Sequence, residues 1–302
     1  AVVRAGGVTW TGAFGVREAG TDARVTDRTV FQAASLSKPV FAYLVMRLVE
    51  RGVIDLDRPL ARYAPNPRME VDARYRTITG RMVLSHSTGL PNWGGDTLRL
   101  AFDPGTGFRY SGEGYVYLQQ VVESVTGLGL DELARREVFE PLGMSRSSYL
   151  WQDRFADDAA LGHDALGRPR PLRRRSEANA AASLLTTAGD YGRFLAAVLT
   201  GQGLAPGTLD RMLAPAVEAR RPGPARPGEG RIQWALGWGL ETGPEASFWH
   251  WGDNGAFKAY VAAFPARDGA VVYFANSVHG LSIAEDLVRL ATGIRPVGAR
   301  WA

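Results

Sequence analysis

The sequence predicts an α+β fold in which segments from both ends of the chain build one antiparallel sheet, with a helical lobe inserted between them. Three observations favour this fold. Strand-like segments begin the chain at residues 2–4 and 8–17, further apolar stretches separated by Gly, Pro and Asp follow residue 231, and helical periodicity dominates the middle. We therefore expect a single domain of 302 residues, with an α/β lobe at about 1–60 and 231–302 and a helical lobe at about 61–230.

The first helix is predicted over residues 35–51. Apolar residues recur there at helical intervals, and Gly52 ends the run. Pro39 has no amide proton, so it is tolerated only in the first turn, which places the start of the helix near Ser35. Further helices are expected at about 80–85, 113–125, 131–139 and 187–199.

The end of the chain is predicted to be an antiparallel meander. A Pro- and Gly-rich linker at 221–230 precedes it, Asp253-Asn254-Gly255 is a strong signal for a hairpin turn, and residues 281–292 are predicted to close the chain with a helix. The expected strands cover 232–240, 246–252, 256–264 and 270–276.

Composition excludes several kinds of chemistry. The chain has no cysteine, which rules out disulfides, thiolate metal sites and a thiol nucleophile. Its four histidines lack metal-ligand spacing and no phosphate-binding loop is present, so we expect neither a metal nor a cofactor. The net charge of +4 is scattered, and the one dense arginine run, at 168–175, has no interleaved aromatic residues. Nucleic acid is therefore not an expected partner.

Localisation is only weakly constrained by the sequence. No apolar run approaches the roughly 18 residues that a membrane span needs, so we expect no span in this chain. The first residues are typical of a strand and not of a signal peptide, so any such peptide has been removed or never existed. We favour an exported protein over a cytoplasmic one, and the oligomeric state stays open.

The scarcest basic residue indicates the chemistry. Only Lys38 and Lys258 among the 35 basic residues are lysines, and an ammonium can release its proton whereas a guanidinium cannot. Lys38 lies three residues after Ser35, so the two side chains share one face at the helix start. This spacing predicts a serine nucleophile with an amine base. The alternative is that Ser35 or Ser37 only caps the helix and that Lys38 is solvated.

Two later segments supply candidate partners for Ser35. A turn-rich stretch from 102 to 112 delivers Tyr110 beside small residues, and His250-Trp251-Gly252 ends a predicted strand. Each also has a structural interpretation, as a packed aromatic residue for Tyr110 and as a hydrogen-bonded core histidine for His250.

The order of these segments resembles the serine β-lactamase and penicillin-binding-protein superfamily, specifically its class C branch with the related family VIII-type esterases and D-peptidases. Ser35-Leu-Ser-Lys38 matches the first motif of that family, and the similarity runs from about residue 2 to about residue 293. It includes the segments Leu84-Ser-His-Ser-Thr-Gly-Leu-Pro91 and Glu140-Pro-Leu-Gly-Met144. The resemblance implies a β-lactamase/transpeptidase-like fold.

The resemblance also implies roles for individual residues. Ser35 would attack an acyl carbonyl, Lys38 would take its proton, and Tyr110 would pass that proton to the leaving group. The backbone N–H groups of Ser35 and Asp253 would form the oxyanion hole. His250 would belong to the site, and His86 would have a local hydrogen-bonding role. Lys258 is either a surface residue or a contact for a substrate carboxylate. The expected substrate-binding residues are Gly112, Trp251, Gly252 and Asn254.

Two departures from the family pattern narrow the function. The second motif normally ends in Asn where this chain has Gly112, and the third normally begins with Lys where it has His250. Losing the amide should harm amide substrates more than esters, so we expect a small-molecule ester as the substrate and expect Gly112→Asn to favour β-lactams. The alternatives are a β-lactamase or D-alanyl-D-alanine-type peptidase, acyl transfer to an alcohol or amine, and a penicillin-binding or sensor domain that does not hydrolyse its ligand.

Overall fold

The computed structural model describes residues 1–171, 173–220 and 232–301, and its main sheet has eight strands. In chain order the strands are β1 (Val2–Arg4), β2 (Gly7–Trp10), β3 (Phe31–Gln32), β4 (Gly162–His163), β5 (Pro169–Arg170), β6 (Leu185–Thr186), β7 (Val217–Glu218), β8 (Ile232–Trp234), β9 (Gly239–Glu241), β10 (Ser247–Asp253), β11 (Lys258–Phe264) and β12 (Gly269–Ala275). The sheet order is β2-β1-β12-β11-β10-β9-β8-β7, and every neighbouring pair is antiparallel.

The two ends of the chain meet inside this sheet. Strand β1 pairs with β12, with Val3 opposite Ala270, and the amino group of Ala1 donates a 2.8 Å hydrogen bond to the carbonyl oxygen of Val272. The predicted α+β fold with a sheet built from both termini is therefore confirmed.

The predicted helices are also present. In chain order the described helices are α1 (Ser37–Glu50), α2 (Gly80–Leu84), α3 (Gly112–Thr126), α4 (Leu130–Ala134), α5 (Ala188–Thr200), α6 (Thr208–Leu213), α7 (Ala284–Thr292) and α8 (Gly298–Trp301). Helices α6 and α8 are not among those that the sequence predicts. A 3-10 turn, Ala34–Leu36, precedes α1, and a π-helical turn, Arg135–Phe139, extends α4.

The sheet separates two apolar cores. Along the central strands, Val261 and Val272 face a large core shared with α1, α3 and α5, whereas Tyr260 and Val271 face a smaller core closed by α7 and α8. This alternation follows from the period of two in a strand, and it puts helices on both faces of the sheet.

Some boundaries differ from those expected. The stretch 232–240 forms two strands, because the chain turns at Gly237. This residue has a φ of +89°, which favours glycine, and a Cβ there would collide with Ala42 of α1. The predicted strand 8–17 is limited to β2. The structure places β7 in the sheet and α5 against it, although the expected boundaries assign both to the helical lobe. The linker predicted at 221–230 lies outside the described residues.

Candidate active site

Ser35 lies in the 3-10 turn that leads into α1. Ala34 immediately before it has a φ of +49°, an unusual value for a residue with a Cβ. The N-cap of α1 is Leu36, which makes no side-chain capping bond. The hydroxyl of Ser37 instead donates to the Ala34 carbonyl at 2.5 Å and accepts from the Leu184 N–H at 3.0 Å. The capping alternative for these serines is therefore wrong, and Ser37 holds the turn together.

Two buried tyrosines from other segments of the chain hold the same turn. The Tyr149 hydroxyl donates to the Ser37 carbonyl at 2.8 Å, and the Tyr191 hydroxyl donates to the Leu36 carbonyl at 3.0 Å. Both rings are completely buried. The backbone around Ser35 is thus positioned by groups from separate parts of the fold, as a preorganised site requires.

Lys38 is completely buried and contacts Ser35 directly. Its Nζ lies 2.9 Å from Ser35 Oγ and 2.9 Å from the Ala181 carbonyl oxygen, which accepts a hydrogen bond from it. Within the described residues no carboxylate forms an ion pair with Lys38. Burial therefore lowers the pKa of Lys38 well below its ordinary value. The alternative of a solvated Lys38 is wrong.

Tyr110 lies beside this pair. Lys38 Nζ is 4.7 Å from the centroid of its ring. The hydroxyl oxygen is buried and makes no hydrogen bond of standard geometry within the part of the chain that is described. Burial raises the pKa of Tyr110, and the nearby Ser35 hydroxyl offsets part of that rise. Tyr110 is therefore a neutral phenol with an unused donor next to Ser35.

His86 holds the segment that carries Tyr110. Its Nδ1 accepts from the Ser111 N–H at 3.0 Å, its carbonyl accepts from the Arg109 N–H at 2.8 Å, and its ring centroid lies 4.2 Å from that of Tyr110. The local hydrogen-bonding role expected for His86 is confirmed. Because Nδ1 accepts, the proton of the neutral ring is on Nε2. Burial holds the pKa of His86 well below its ordinary value, and Lys38 and His250, when protonated, lower it further.

His250 is completely buried on β10. Its Nδ1 lies 2.7 Å from the Trp251 carbonyl oxygen, so Nδ1 carries the proton because a carbonyl can only accept. Burial, and then the charge of a protonated Lys38, lower the pKa of His250 to about 3. The structure thus places a neutral imidazole where the family pattern has an ammonium, with its ring centroid 6.1 Å from that of Tyr110.

Gly252 brings β10 against the turn that carries Ser35. A Cβ at this position would collide with the Ala33 carbonyl oxygen and lie 3.2 Å from Ala34 Cβ. The backbone of Asp253, the next residue, is therefore beside the same turn. The Asp253 carboxylate accepts from the Gly255 N–H at 2.8 Å and forms a 2.5 Å ion pair with Lys258.

The remaining candidates are Asn254, Trp251 and Lys258. The Asn254 amide nitrogen donates to Gln32 Oε1 and to the Ala182 carbonyl, both at 3.1 Å, and so joins three segments. The Trp251 ring centroid lies 4.8 Å from that of Tyr110. The Lys258 side chain is only 11% exposed and its amine pairs with Asp253, so Lys258 is not a freely solvated surface residue.

Gly112 has little free space around it. A Cβ there would lie 2.7 Å from Trp93 Cη2 and 2.8 Å from the Asn92 carbonyl oxygen. The N–H of Gly112 also donates to the Asn92 carbonyl and to Asn92 Oδ1, both at 3.0 Å. An asparagine at 112 would therefore require the Trp93 ring and the Asn92 backbone to shift, and the expectation that Gly112→Asn favours β-lactams stays a prediction.

Sequence reasoning missed two neighbours of the site. The Ala181 carbonyl that contacts Lys38 has no sequence signal, since any residue supplies a carbonyl. Trp93 follows the recognisable Leu-Pro end of a family segment, but nothing in the sequence tells that its ring covers Gly112.

The described residues were also compared with the requirements of a metal site and of a membrane-spanning helix. Across residues 1–171, 173–220 and 232–301 no three acidic or histidine side chains are grouped so that they could hold a metal ion. None of the helices described here is both long and apolar enough to cross a membrane.

The sheet, the helices on both its faces and the turn in which buried Lys38 contacts Ser35 define a β-lactamase/transpeptidase-like protein. The chain belongs to the Beta-lactamase family, which it matches over residues 1–293. Solved structures with this fold include the octameric penicillin-binding protein homologue from Pyrococcus abyssi (22% identity, TM-score 0.81, 96% of this chain and 72% of that chain). A penicillin-binding protein from Bacillus halodurans is similar to the same extent (21% identity, TM-score 0.81, 96% and 94%).

The names of related proteins indicate several different activities. Penicillin-binding protein 4 of Amycolatopsis lactamdurans is 33% identical over 61% of this chain and 51% of its own length. Esterase EstB of Burkholderia gladioli is 33% identical over 53% and 47%. The unguisins hydrolase of Aspergillus violaceofuscus is 26% identical over 90% and 56%. The chain spans about half the length of these relatives. It is a member of a family of serine hydrolases that includes esterases, penicillin-binding proteins and β-lactamases.

Proposed function

We propose that this chain hydrolyses carboxylic esters or related acyl compounds through an acyl-enzyme on Ser35. The observation that carries the proposal is the 2.9 Å contact between Lys38 Nζ and Ser35 Oγ in a buried setting. Burial favours the neutral amine, and a neutral amine can accept the proton of the hydroxyl.

In the proposed reaction Ser35 Oγ bonds to the acyl carbon while its proton passes to Lys38. The carbonyl electron pair moves onto oxygen, where the N–H groups of Ser35 and Asp253 would donate to it. The approach of Gly252 to Ala33 supports this pairing of donors. One such donor is worth about 10²–10³ in rate in other hydrolases.

The bond to the leaving oxygen then breaks, and that oxygen receives the proton from Lys38 through the Tyr110 hydroxyl. The raised pKa of Tyr110 suits a relay that stays protonated between transfers. Water next attacks the acyl carbon, its proton returns along the same path, and the Oγ–acyl bond breaks to release the acid and restore Ser35. His250 would contribute a neutral wall, and Trp251 and Asn254 would contact the substrate beyond it.

Esters are favoured because this chain has no amide side chain at position 112 to hold an amide substrate. The similarity to penicillin-binding protein 4 supports a second candidate, β-lactam or D-peptide acylation of Ser35. A non-hydrolytic penicillin-binding domain would acylate in the same way but would deacylate slowly.

The test is covalent labelling followed by turnover. A fluorophosphonate should add once, at Ser35, by intact-mass and peptide mass spectrometry, and Ser35→Ala should abolish the adduct. Ser282→Ala is the matched control, since it removes an exposed hydroxyl that donates to the His279 carbonyl and should leave the adduct at Ser35. Rapid turnover of p-nitrophenyl esters supports the esterase, faster turnover of nitrocefin supports the lactamase, and a stable adduct with fluorescent penicillin supports the binding domain. An adduct at any other residue refutes the proposal.

A further inference from the structure

Trp93 covers the start of α3 next to the candidate site. Its six-membered ring lies against Gly112, with Cη2 and Cζ2 at 2.7 and 2.9 Å from the position that a Cβ would take. Gly112 follows Tyr110 by two residues, so the indole ring stands where a side chain at the end of the second motif would otherwise project.

The ring is not a buried core residue. Trp93 is 51% exposed, a large fraction for a tryptophan. The other exposed large apolar residues at the ends of the chain, such as Trp10, Phe14 and Leu290, lie on elements away from Ser35. Trp93 therefore offers uncovered apolar surface beside the site.

The loop that carries this ring is anchored on both sides. The Asn92 carbonyl accepts from the N–H groups of Gly112 and Glu113 at 3.0 and 3.1 Å. On the other side, the Gly94 N–H donates to Glu113 Oε1 at 3.0 Å, and Arg68 pairs with Glu113 at 2.7 Å. Arg68 also donates to the carbonyl oxygens of Gly94 and Gly95. The backbone that carries the exposed indole is thus held in place before any ligand binds.

We propose that Trp93 is a specificity-determining wall of the site, which packs against a flat apolar group of the ester, such as a phenyl substituent. The proposal rests on the proposed function of Ser35. A half-exposed aromatic ring on an anchored loop gains contact area on binding and loses little conformational freedom. An indole has one N–H donor and no acceptor, so it cannot bond both the N–H and the carbonyl of a substrate amide as an asparagine would, and the wall favours shape and apolar surface over hydrogen bonding.

The test compares esters that differ only in one apolar group. With p-nitrophenol as the constant leaving group, Trp93→Ala should lower kcat/KM for the phenylacetate about tenfold and for the acetate less than about twofold, mainly through KM. A second series of acetates of different alcohols distinguishes an acyl contact from an alcohol contact. Trp93→Phe should keep most of the preference. Trp10→Ala, which removes another exposed tryptophan on β2, should leave both ratios unchanged.

The outcomes separate this proposal from the one on which it rests. If the parent forms no adduct on Ser35, the proposed function fails. If the adduct forms and turnover continues, but neither the acyl series nor the alcohol series responds to Trp93→Ala, the wall is refuted. If Trp93→Ala does not fold, Trp93→Gln keeps the length of the side chain and removes its apolar face, and an unchanged selectivity ratio in that variant refutes the wall equally.

Discussion

Lys38 Nζ and Ser35 Oγ lie 2.9 Å apart, and the amine is completely buried while the hydroxyl is partly accessible. The amine has the Ala181 carbonyl as a second partner, which accepts but cannot neutralise a positive charge. A buried ammonium with only neutral partners is poorly stabilised. The pair is therefore arranged so that the amine can lose its proton and then receive one from the serine.

Replacing Lys38 by arginine tests whether proton transfer or charge is needed. Lys38→Arg keeps the charge but cannot act as a base, so acylation of Ser35 by a p-nitrophenyl ester should fall about 10²–10⁴-fold, measured by stopped-flow burst kinetics. Lys258→Arg is the matched control, because it changes the only other lysine and retains a cation beside Asp253. A loss of less than about tenfold in Lys38→Arg would require a different base.

The pH profile should report the same amine. A base with a depressed pKa is protonated and inactive below that pKa and is active above it. We expect kcat/KM for esters to rise with pH along a single-proton limb centred well below the ordinary pKa of lysine, followed by a plateau. The raised pKa of Tyr110 keeps its ionisation above this range. A profile that still climbs steadily at pH 10 would contradict the assignment.

His86 should act on activity through Tyr110. His86→Leu leaves the buried Ser111 N–H without its acceptor, at a cost of about 1–3 kcal/mol in the free energy of unfolding, and loosens the Tyr110 segment. His86→Asn can present an oxygen near the position of Nδ1 and tolerates the φ of +57°, so it should retain more activity and stability. Urea unfolding and kcat/KM check both variants. Equal losses in the two would argue against the Ser111 bond.

Gly252 should be intolerant of any side chain. Gly252→Ala forces β10 away from the Ala33 carbonyl, so we expect a loss of about 1–3 kcal/mol in the free energy of unfolding and a larger relative loss of Ser35 labelling. Gly7→Ala on β2 is the control, because a Cβ there meets no atom within 4 Å. Normal labelling by a stable Gly252→Ala would show that the two segments need not approach so closely.

The ratio of β-lactam to ester acylation tests the role of position 112. We expect the parent to acylate with a p-nitrophenyl ester faster than with a penicillin, because the ester needs no side-chain amide to hold it. Since a Cβ at 112 would press on Trp93 and on the Asn92 backbone, Gly112→Asn should lower both rates while shifting their ratio towards the lactam. A parent that prefers lactams would overturn the ester assignment.

Local sequence patterns predict much of this structure. The period of the apolar residues and Pro39 in the first turn are enough to place α1 and to put Ser35 and Lys38 on one face, because helix geometry depends on near neighbours. The Asp-Asn-Gly turn likewise predicts the hairpin between β10 and β11, and the terminal strands predict a sheet from both ends.

Tertiary packing decided the environment of those residues. The burial of Lys38, the Ala181 carbonyl that faces it and the neutral state of His250 depend on segments far apart in the chain, and no local pattern encodes them. The same holds for Gly112. The sequence suggests empty space where this residue lacks a side chain, but in the fold the Trp93 ring fills that space. Sequence thus predicts which groups carry the proposed chemistry. Packing between distant segments determines their solvation and the space around them, because desolvation and steric exclusion depend on all neighbours in space.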